Sequence, residues 1–218
     1  SIFYRGVSVG SGEIEPDCVL VIGAAAKLSK LKGVRCKDPT YGMPGVWVPA
    51  AERLDVEAHG FQVFDPVSVV ATHLTETVKV HAGGLLGLDD VKRLLDYVRN
   101  DHPVLVDTAI PGCLSLVELW QVLRGLLQER VPIRDLALIL ESIVLLPNRD
   151  VTVENAMAAA RVALRFQISK EYVNDSGEIG GVVLDAQINE RLRADSLNAG
   201  QMNELGEQLR SAMLNLAE

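Results

Sequence analysis

Residues 61–82, FQVFDPVSVVATHLTETVKVHA, decide how the chain is read. Phe61 to Phe64 alternates apolar and polar residues and predicts a short strand. Asp65-Pro66 then forms a helix start, with a carboxylate at the N-cap and a proline in the first turn. The helix is expected to run to about Ala82, with Gly83-Gly84 ending it. Val69, Val70, His73, Leu74, Thr77 and Val80 recur at helical spacing and are expected to share one face.

Upstream, Ile2 to Val9 alternates and reads as a strand, punctuated by Gly10-Ser11-Gly12 and Pro16. Asp17 to Gly23 (DCVLVIG) is a β-branched run expected to be a buried strand. Lys27 to Lys37 is basic, contains a glycine and reads as a loop. Asp38 to Gly45 (DPTYGMPG) has two prolines and two glycines, so regular structure is not expected there. Val46 to Val48 is a short strand, and Ala50 to His59 a helix stopped by Gly60. Short strands alternating with helices over residues 1–82 imply a small mixed α/β unit.

Downstream the composition changes. Asp89 to Arg99, Ser115 to Arg130 and Arg134 to Leu146 are amphipathic, with breaks at Pro103, Pro111 and Pro132. Ser115 and Glu118 have capping-box spacing. Leu116, Leu119, Trp120, Leu123, Leu126 and Leu127 form a core stripe, so a helical bundle of three or four elements is expected. A long helix from about Thr152 to Tyr172 follows, then a turn at Asn174 to Gly177 and a strand from Ile179 to Leu184. Helices at Ala186 to Ala194 and Gln201 to Leu216 close the chain. One strand among helices cannot make a sheet, so the last part reads as truncated. The fold class is therefore α+β with several subdomains: a small mixed α/β unit, a helical bundle and the start of a further α/β subdomain.

Bulk properties narrow the function. Of the 218 residues, 48% are hydrophobic and 23% charged, as in a packed globular protein rather than a disordered tail. The net charge of −8 and the lack of a prominent Lys/Arg cluster argue against nucleic-acid binding. Cys18, Cys36 and Cys113 are sparse and odd in number, which fits a reducing compartment rather than a disulfide scaffold. The apolar run from Cys18 to Ala26 is far shorter than the ~20 residues of a membrane helix.

Candidate chemistry is thin. Val19 to Leu28 (VLVIGAAAKL) looks like a strand entering a dinucleotide turn, but it has one glycine where that turn needs three. A nucleotide-using α/β enzyme is the rival reading it supports. His73 and His81 stand about 12 Å apart along a helix and cannot share an ion. His73 with Glu76 is a weak metal pair, better read as a locally hydrogen-bonded histidine at a core edge. Cys113 reads as a small buried hydrophobe. We expect no enzyme activity, no cofactor and no metal.

Several segments, in order, resemble the FHIPEP family of flagellar and injectisome type III export-gate proteins. They are Gly6 to Gly12 (GVSVGSG) with Pro16, Asp38 to Val48 (DPTYGMPGVWV), Gly60 to Leu74 (GFQVFDPVSVVATHL), His81-Ala82 and Leu85-Leu86-Gly87. Leu114 to Glu141 follows, with VLRGLL at 122–127 and VPIRD at 131–135. Arg161 to Ile168 (RVALRFQI) completes the match. Tyr41 where phenylalanine is commoner, Gly83-Gly84, and Leu88-Asp89-Asp90 depart from the pattern. DPxYG and ATHL read closer to the flagellar members.

The resemblance implies a cytoplasmic segment of a bacterial inner-membrane protein, itself not membrane-embedded. Residues 1–16 and 66–87 would end a first subdomain, and 17–65 would be an inserted small α/β subdomain. Residues 88–165 would form a helical subdomain, and 166–218 the truncated start of a final one. The function implied is a docking platform for export chaperone–substrate complexes, the export ATPase complex and the substrate-switch protein. Homo-nonameric assembly of the full-length protein is also implied. Docking would fall on Asp38, Pro39, Tyr41 and Thr72, and ring contacts on Arg134 and Asp135. A purely structural ring scaffold is the other rival reading.

Overall fold

The computed structural model describes residues 1–147, 151–174, 176–181, 185–186, 189–190, 205–209 and 211. By contacts the chain divides into two compact units, Ser1–Ala160 and Arg161–Glu218.

The first unit opens with a hairpin. β1 (Ile2–Tyr4) pairs antiparallel with β2 (Val7–Gly10). The single strand expected over Ile2–Val9 is thus two. Arg5 (φ 49°) and Gly6 (φ 81°) both lie left-handed, as a two-residue hairpin turn requires, while polar and apolar residues keep alternating across it.

A four-stranded sheet follows, formed by β3 (Cys18–Ile22), β4 (Val34–Lys37), β5 (Pro44–Pro49) and β6 (Gln62–Phe64) in the order β4-β5-β3-β6. All of its pairs are antiparallel. β3 has a neighbour on each side and is covered on both faces, which is why its sequence is a continuous apolar run. On one face Val19, Val21, Val46 and Val48 pack with Leu28 of α1 (Ala25–Leu28) and Val56 of α2 (Arg53–Ala58). On the other, Leu20 and Trp47 meet Val69.

Three expectations change here. The loop expected over Lys27–Lys37 contains the end of α1 and all of β4, which its lysines disguise. The irregular stretch Asp38–Gly45 already enters β5 at Pro44, where a proline is tolerated as the first strand residue. The helix expected from Ala50 begins as a 3₁₀ turn, Ala50–Glu52, before α2.

The helix quoted at the outset is α3 (Pro66–Leu85). Its start is as expected: Asp65 Oδ1 accepts the Ser68 N–H at 2.9 Å. Its end is not, because the helix runs through Gly83-Gly84. At Gly83 a β-carbon would lie 2.9 Å from the Arg124 carbonyl oxygen and 2.8 Å from Gln128 Cγ. The glycine lets α3 close on α6 (Leu116–Gln128) and does not stop the helix. Its expected apolar face is also divided. Val69 is buried and His73 and Thr77 half-buried, while Val70, Leu74 and Val80 are exposed.

α4 (Leu88–Asp101), α5 (Pro103–Ala109), α6 and α7 (Leu136–Val144) make the helical region. α5 was not expected between its flanking prolines, yet Pro103 occupies a first-turn position that needs no N–H. The capping box forms: Glu118 N–H donates to Ser115 Oγ at 3.2 Å, and Ser115 N–H to Glu118 Oε2 at 2.7 Å. Leu119, Leu123 and Leu126 are fully buried, as are Ile139, Leu140 and Ile143 of α7. The Trp120 indole donates to Leu86 O at 2.8 Å, fastening α6 to the α3–α4 link.

The helix expected over Thr152–Tyr172 is two, α8 (Val153–Ala163) and α9 (Arg165–Lys170). They break at Leu164, where neither glycine nor proline marks the site. In the second unit the Asn174 carboxamide oxygen accepts the N–H groups of Ser176 and Glu178, making the expected turn. Of the strand expected at Ile179–Leu184, Ile179 bridges Val173, and residues 182–184 lie outside the described residues. So do most of 186–194 and 201–216, although residues 205–209 are helical.

A candidate docking cleft

Two segments far apart in sequence meet against α3. In the first, Gly10 backs onto His73, where a β-carbon would fall 2.9 Å from His73 Nε2. Gly12 backs onto the second, where a β-carbon would fall 2.6 Å from Pro39 Cβ. A side chain at Gly12 would push the rigid Pro39 ring away, and one at Gly10 would displace the end of the His73 ring. Pro39, Gly12, Val69, Val70, His73 and Leu74 line a cleft of about 310 Å³. His73 Nε2 is buried here without a hydrogen-bond partner among the described residues, as is Thr40 Oγ1 in the turn that follows Pro39. His73 is therefore not the locally bonded histidine expected from sequence.

Asp38 and Tyr41 belong to one tight turn. Asp38 is 6% exposed and Tyr41 62% exposed. The Tyr41 N–H donates to Asp38 Oδ2 at 2.6 Å, the Gly42 N–H to Asp38 O at 2.9 Å, and the Asp38 N–H to Met43 O at 2.8 Å. The carboxylate is committed to the turn, and the turn holds the aromatic ring outward. Burial first, and the Asp38 charge second, push the nearby Cys36 thiol above its usual pKa.

Thr72 is exposed on α3 and shares a face with Glu76 and Lys79, one and two turns on. Glu76 accepts from Lys79 at 2.7 Å and from Arg130 at 3.3 Å, tying α3 to the end of α6. The Lys79 hydrogen bond is the main reason the Glu76 carboxyl lies below its ordinary range. Lys79 is raised above its ordinary value chiefly by its hydrogen bond to Glu76.

Arg134 and Asp135 are elsewhere. Asp135 Oδ1 caps α7 through the Leu138 N–H at 3.2 Å, and Arg134 is exposed. Both line a second cleft of about 430 Å³, between the end of α4 and the start of α7, with Tyr97 and His102.

Sequence reasoning singled out Asp38, Pro39, Tyr41 and Thr72 but passed over Gly10, Gly12 and the cleft-lining role of His73. Two glycines two residues apart after a strand were the available signal, and they were read only as a turn. The dinucleotide reading of Val19–Leu28 loses its frame. β3 is antiparallel to both neighbours and leads into a four-residue helix, whereas that turn needs a parallel βαβ unit. Among the described residues no group of three or more His, Cys, Asp or Glu could hold a metal, and no helix is long and apolar enough to cross a membrane.

The FHIPEP family matches residues 1–217. The flagellar biosynthesis protein FlhA of Yersinia enterocolitica is 36% identical over 205 residues, covering 94% of this chain and 30% of that protein. FlhA of Bacillus subtilis is 32% identical, covering 83% and 28%. The chain thus spans under a third of the length of these relatives. Among solved structures, Chlamydia pneumoniae CdsV superposes with a TM-score of 0.80 at 23% identity, covering 94% of this chain and 62% of that one. A nonameric EPEC SctV-C gives 0.58 at 19%, covering 89% and 67%. At these identities the structures show a shared fold. The mixed α/β architecture is the one they have.

Proposed function

Because the chain belongs to the FHIPEP family, we propose that it is a docking segment of a type III protein export gate, with the flagellar apparatus favoured. Its partners are export chaperone–substrate complexes, with the export ATPase complex and the substrate-switch protein meeting the same platform. The parent protein assembles as a nine-membered ring, with Arg134 and Asp135 at the contact between copies. A chain in a Chlamydia pneumoniae CdsV and CdsO protein complex superposes with a TM-score of 0.75, and a partner bound to this fold supports the reading. The four-part division at residues 16/17, 65/66, 87/88 and 165/166 belongs to this reading.

One observation carries it: the Gly10–Gly12 segment packs on His73 of α3 and on Pro39, and the turn that Pro39 belongs to leaves the Tyr41 ring 62% exposed. In this reading Tyr41 is the apolar anchor and Thr72 supplies a methyl wall. Pro39 sets the cleft floor. Asp38 positions Tyr41 through its carboxylate and takes no donor from the partner. An exposed aromatic on a rigid turn is the usual anatomy of an interface hot spot.

Calorimetric titration with a cognate chaperone–substrate complex tests the proposal. Truncating a central aromatic costs ~2 kcal/mol or more of binding, roughly a thirtyfold loss. Tyr41→Ala and Thr72→Met should both weaken binding. Unchanged affinity in both removes the docking assignment.

A further inference from the structure

From Cys18 to Lys37 the chain has no Asp or Glu, yet it carries Lys27, Lys30, Lys32, Arg35 and Lys37 in a protein of net charge −8. All five are exposed, and none forms an ion pair with a described residue. The fold makes them one patch. Arg35 Nη2 donates to Ser29 O at 3.3 Å, joining β4 to the end of α1, and Lys27, Lys30 and Lys32 are within three residues of Ser29 in the chain.

β4 is also an edge strand, bonded only to β5. Its open side can be assigned. Asp38 N–H bonds Met43 O, and Pro44, opposite Lys37, has no N–H to give. Antiparallel pairs alternate between bonded and non-bonded. The backbone groups of Arg35 and Lys37 therefore face away from β5 into open space. The side chains of these same residues lie on the face opposite Cys36, whose thiol packs with Leu20 and Trp47. Val34, on the Cys36 face, is exposed.

We propose that the β4 edge is a second docking surface, separate from the Pro39–His73 cleft and the Tyr41 turn. It takes an extended acidic segment of a partner protein by strand addition. The bonds would run from the outward Arg35 and Lys37 backbone groups, as in other cases where a peptide extends a sheet. Acidic side chains at alternate positions would face Arg35 and Lys37, with Lys27, Lys30 and Lys32 adding attraction, and apolar ones would cover Val34. A second copy is a poor occupant, because its edge carries the same charge, which is how lysine-bearing edges prevent self-pairing. An anionic membrane would use the charge but not the backbone row. The inference stands whether or not Tyr41 docks a chaperone.

The test titrates the isotope-labelled chain with a synthetic peptide alternating Glu and Val, then with its Lys–Val counterpart, and then with phosphatidylserine-rich vesicles. The expected result is saturable, salt-weakened binding of the Glu–Val peptide alone, with new hydrogen-exchange protection at the Arg35 and Lys37 amides. Reversing three charges, as K32E/R35E/K37E, should weaken binding by about tenfold or more, since exposed pairs contribute a few tenths to one kcal/mol each. If that variant melts early, K27E/K30E, away from the strand, should still weaken binding. Equal binding of the Lys–Val peptide, unprotected Arg35 and Lys37 amides, or binding to vesicles in place of peptide would each overturn the proposal. So would failure of the peptide to bind where K32Q/R35Q/K37Q aggregates, which would leave the charges as guards against self-association.

Discussion

The inserted sheet and the helical region are built to different depths. Each face of the sheet is covered by one thin apolar layer, Val19, Val21, Val46 and Val48 on one side and Leu20 and Trp47 on the other. In the helical region α6 and α7 each present a full buried stripe, and α4 and α5 pack against them. The thin part carries Tyr41 on its turn, two cations on its edge strand and three lysines in and after α1. The thick part carries buried leucines and isoleucines. A surface used for docking needs rigid presentation more than a deep core, and a hydrogen-bonded turn on a sheet gives that.

Substitutions at four places, Leu123, Gly83, the Ser115–Glu118 box and the Asp38–Tyr41 turn, probe this contrast in falling order of expected effect on stability. Leu123→Ala, at a fully buried position in α6, should cost ~2–5 kcal/mol and lower Tm by roughly ten degrees. A calorimetric melt showing a loss as small as that of a surface mutant would mean the helical core is not the deep one.

Gly83→Ala comes next. In an open helix this change gains up to ~1 kcal/mol. Here the new methyl meets the Arg124 carbonyl, and overpacking should cost ~1–3 kcal/mol instead. Denaturant titration gives the sign, and a stabilised variant would show that α3 and α6 are not in close contact there.

Ser115→Ala should cost ~1 kcal/mol by removing the N-cap of α6. The reciprocal partner adds a pH signature. Bonds from Ser115 hold the Glu118 carboxyl below its ordinary pKa of 4.5. A lowered folded-state pKa gives stability that is present above the unfolded value and lost as pH falls through the folded one. Glu118→Gln should therefore flatten the melting temperature's dependence on pH below 4.5. An unchanged pH slope would mean the box is open in solution.

The smallest effect on stability belongs to Tyr41→Ala, expected within about 0.5 kcal/mol because the ring is exposed. Its expected thirtyfold effect on docking makes it the sharpest contrast with Leu123. Asp38→Asn adds a finer test. Asparagine keeps an acceptor for the Tyr41 N–H, so docking should survive it and fail in Asp38→Ala. Equal loss in both would mean the charge itself meets the partner.

Local rules decided much of what was legible. Asp65-Pro66 set the start of α3, Ser115 and Glu118 set that of α6, and the run CVLVI declared a strand covered on both faces. Each depends on residues within a turn or two of one another, where backbone geometry and capping bonds dominate. The docking candidates Asp38, Pro39, Tyr41 and Thr72 came from resemblance to a family, because a turn and a helix residue separated by a whole strand–helix–strand stretch have no local signature.

What the sequence could not supply came from contacts across distance. Gly83-Gly84 is a helix stop by propensity, yet the approach of α6 makes it a helix interior, since packing outweighs the ~1 kcal/mol propensity cost of each glycine. Gly10 and Gly12 look like a turn until His73 and Pro39 are seen against them. The basic stretch ending in β4 looks like a loop until β5 pairs with it. Sequence by itself determined where the capped helices α3 and α6 and the buried strand β3 begin, because caps, prolines and apolar runs act over a few residues. Only tertiary structure decided which glycines are contacts, that Asp38 is buried, and which edge is open, because those depend on what the rest of the chain brings alongside.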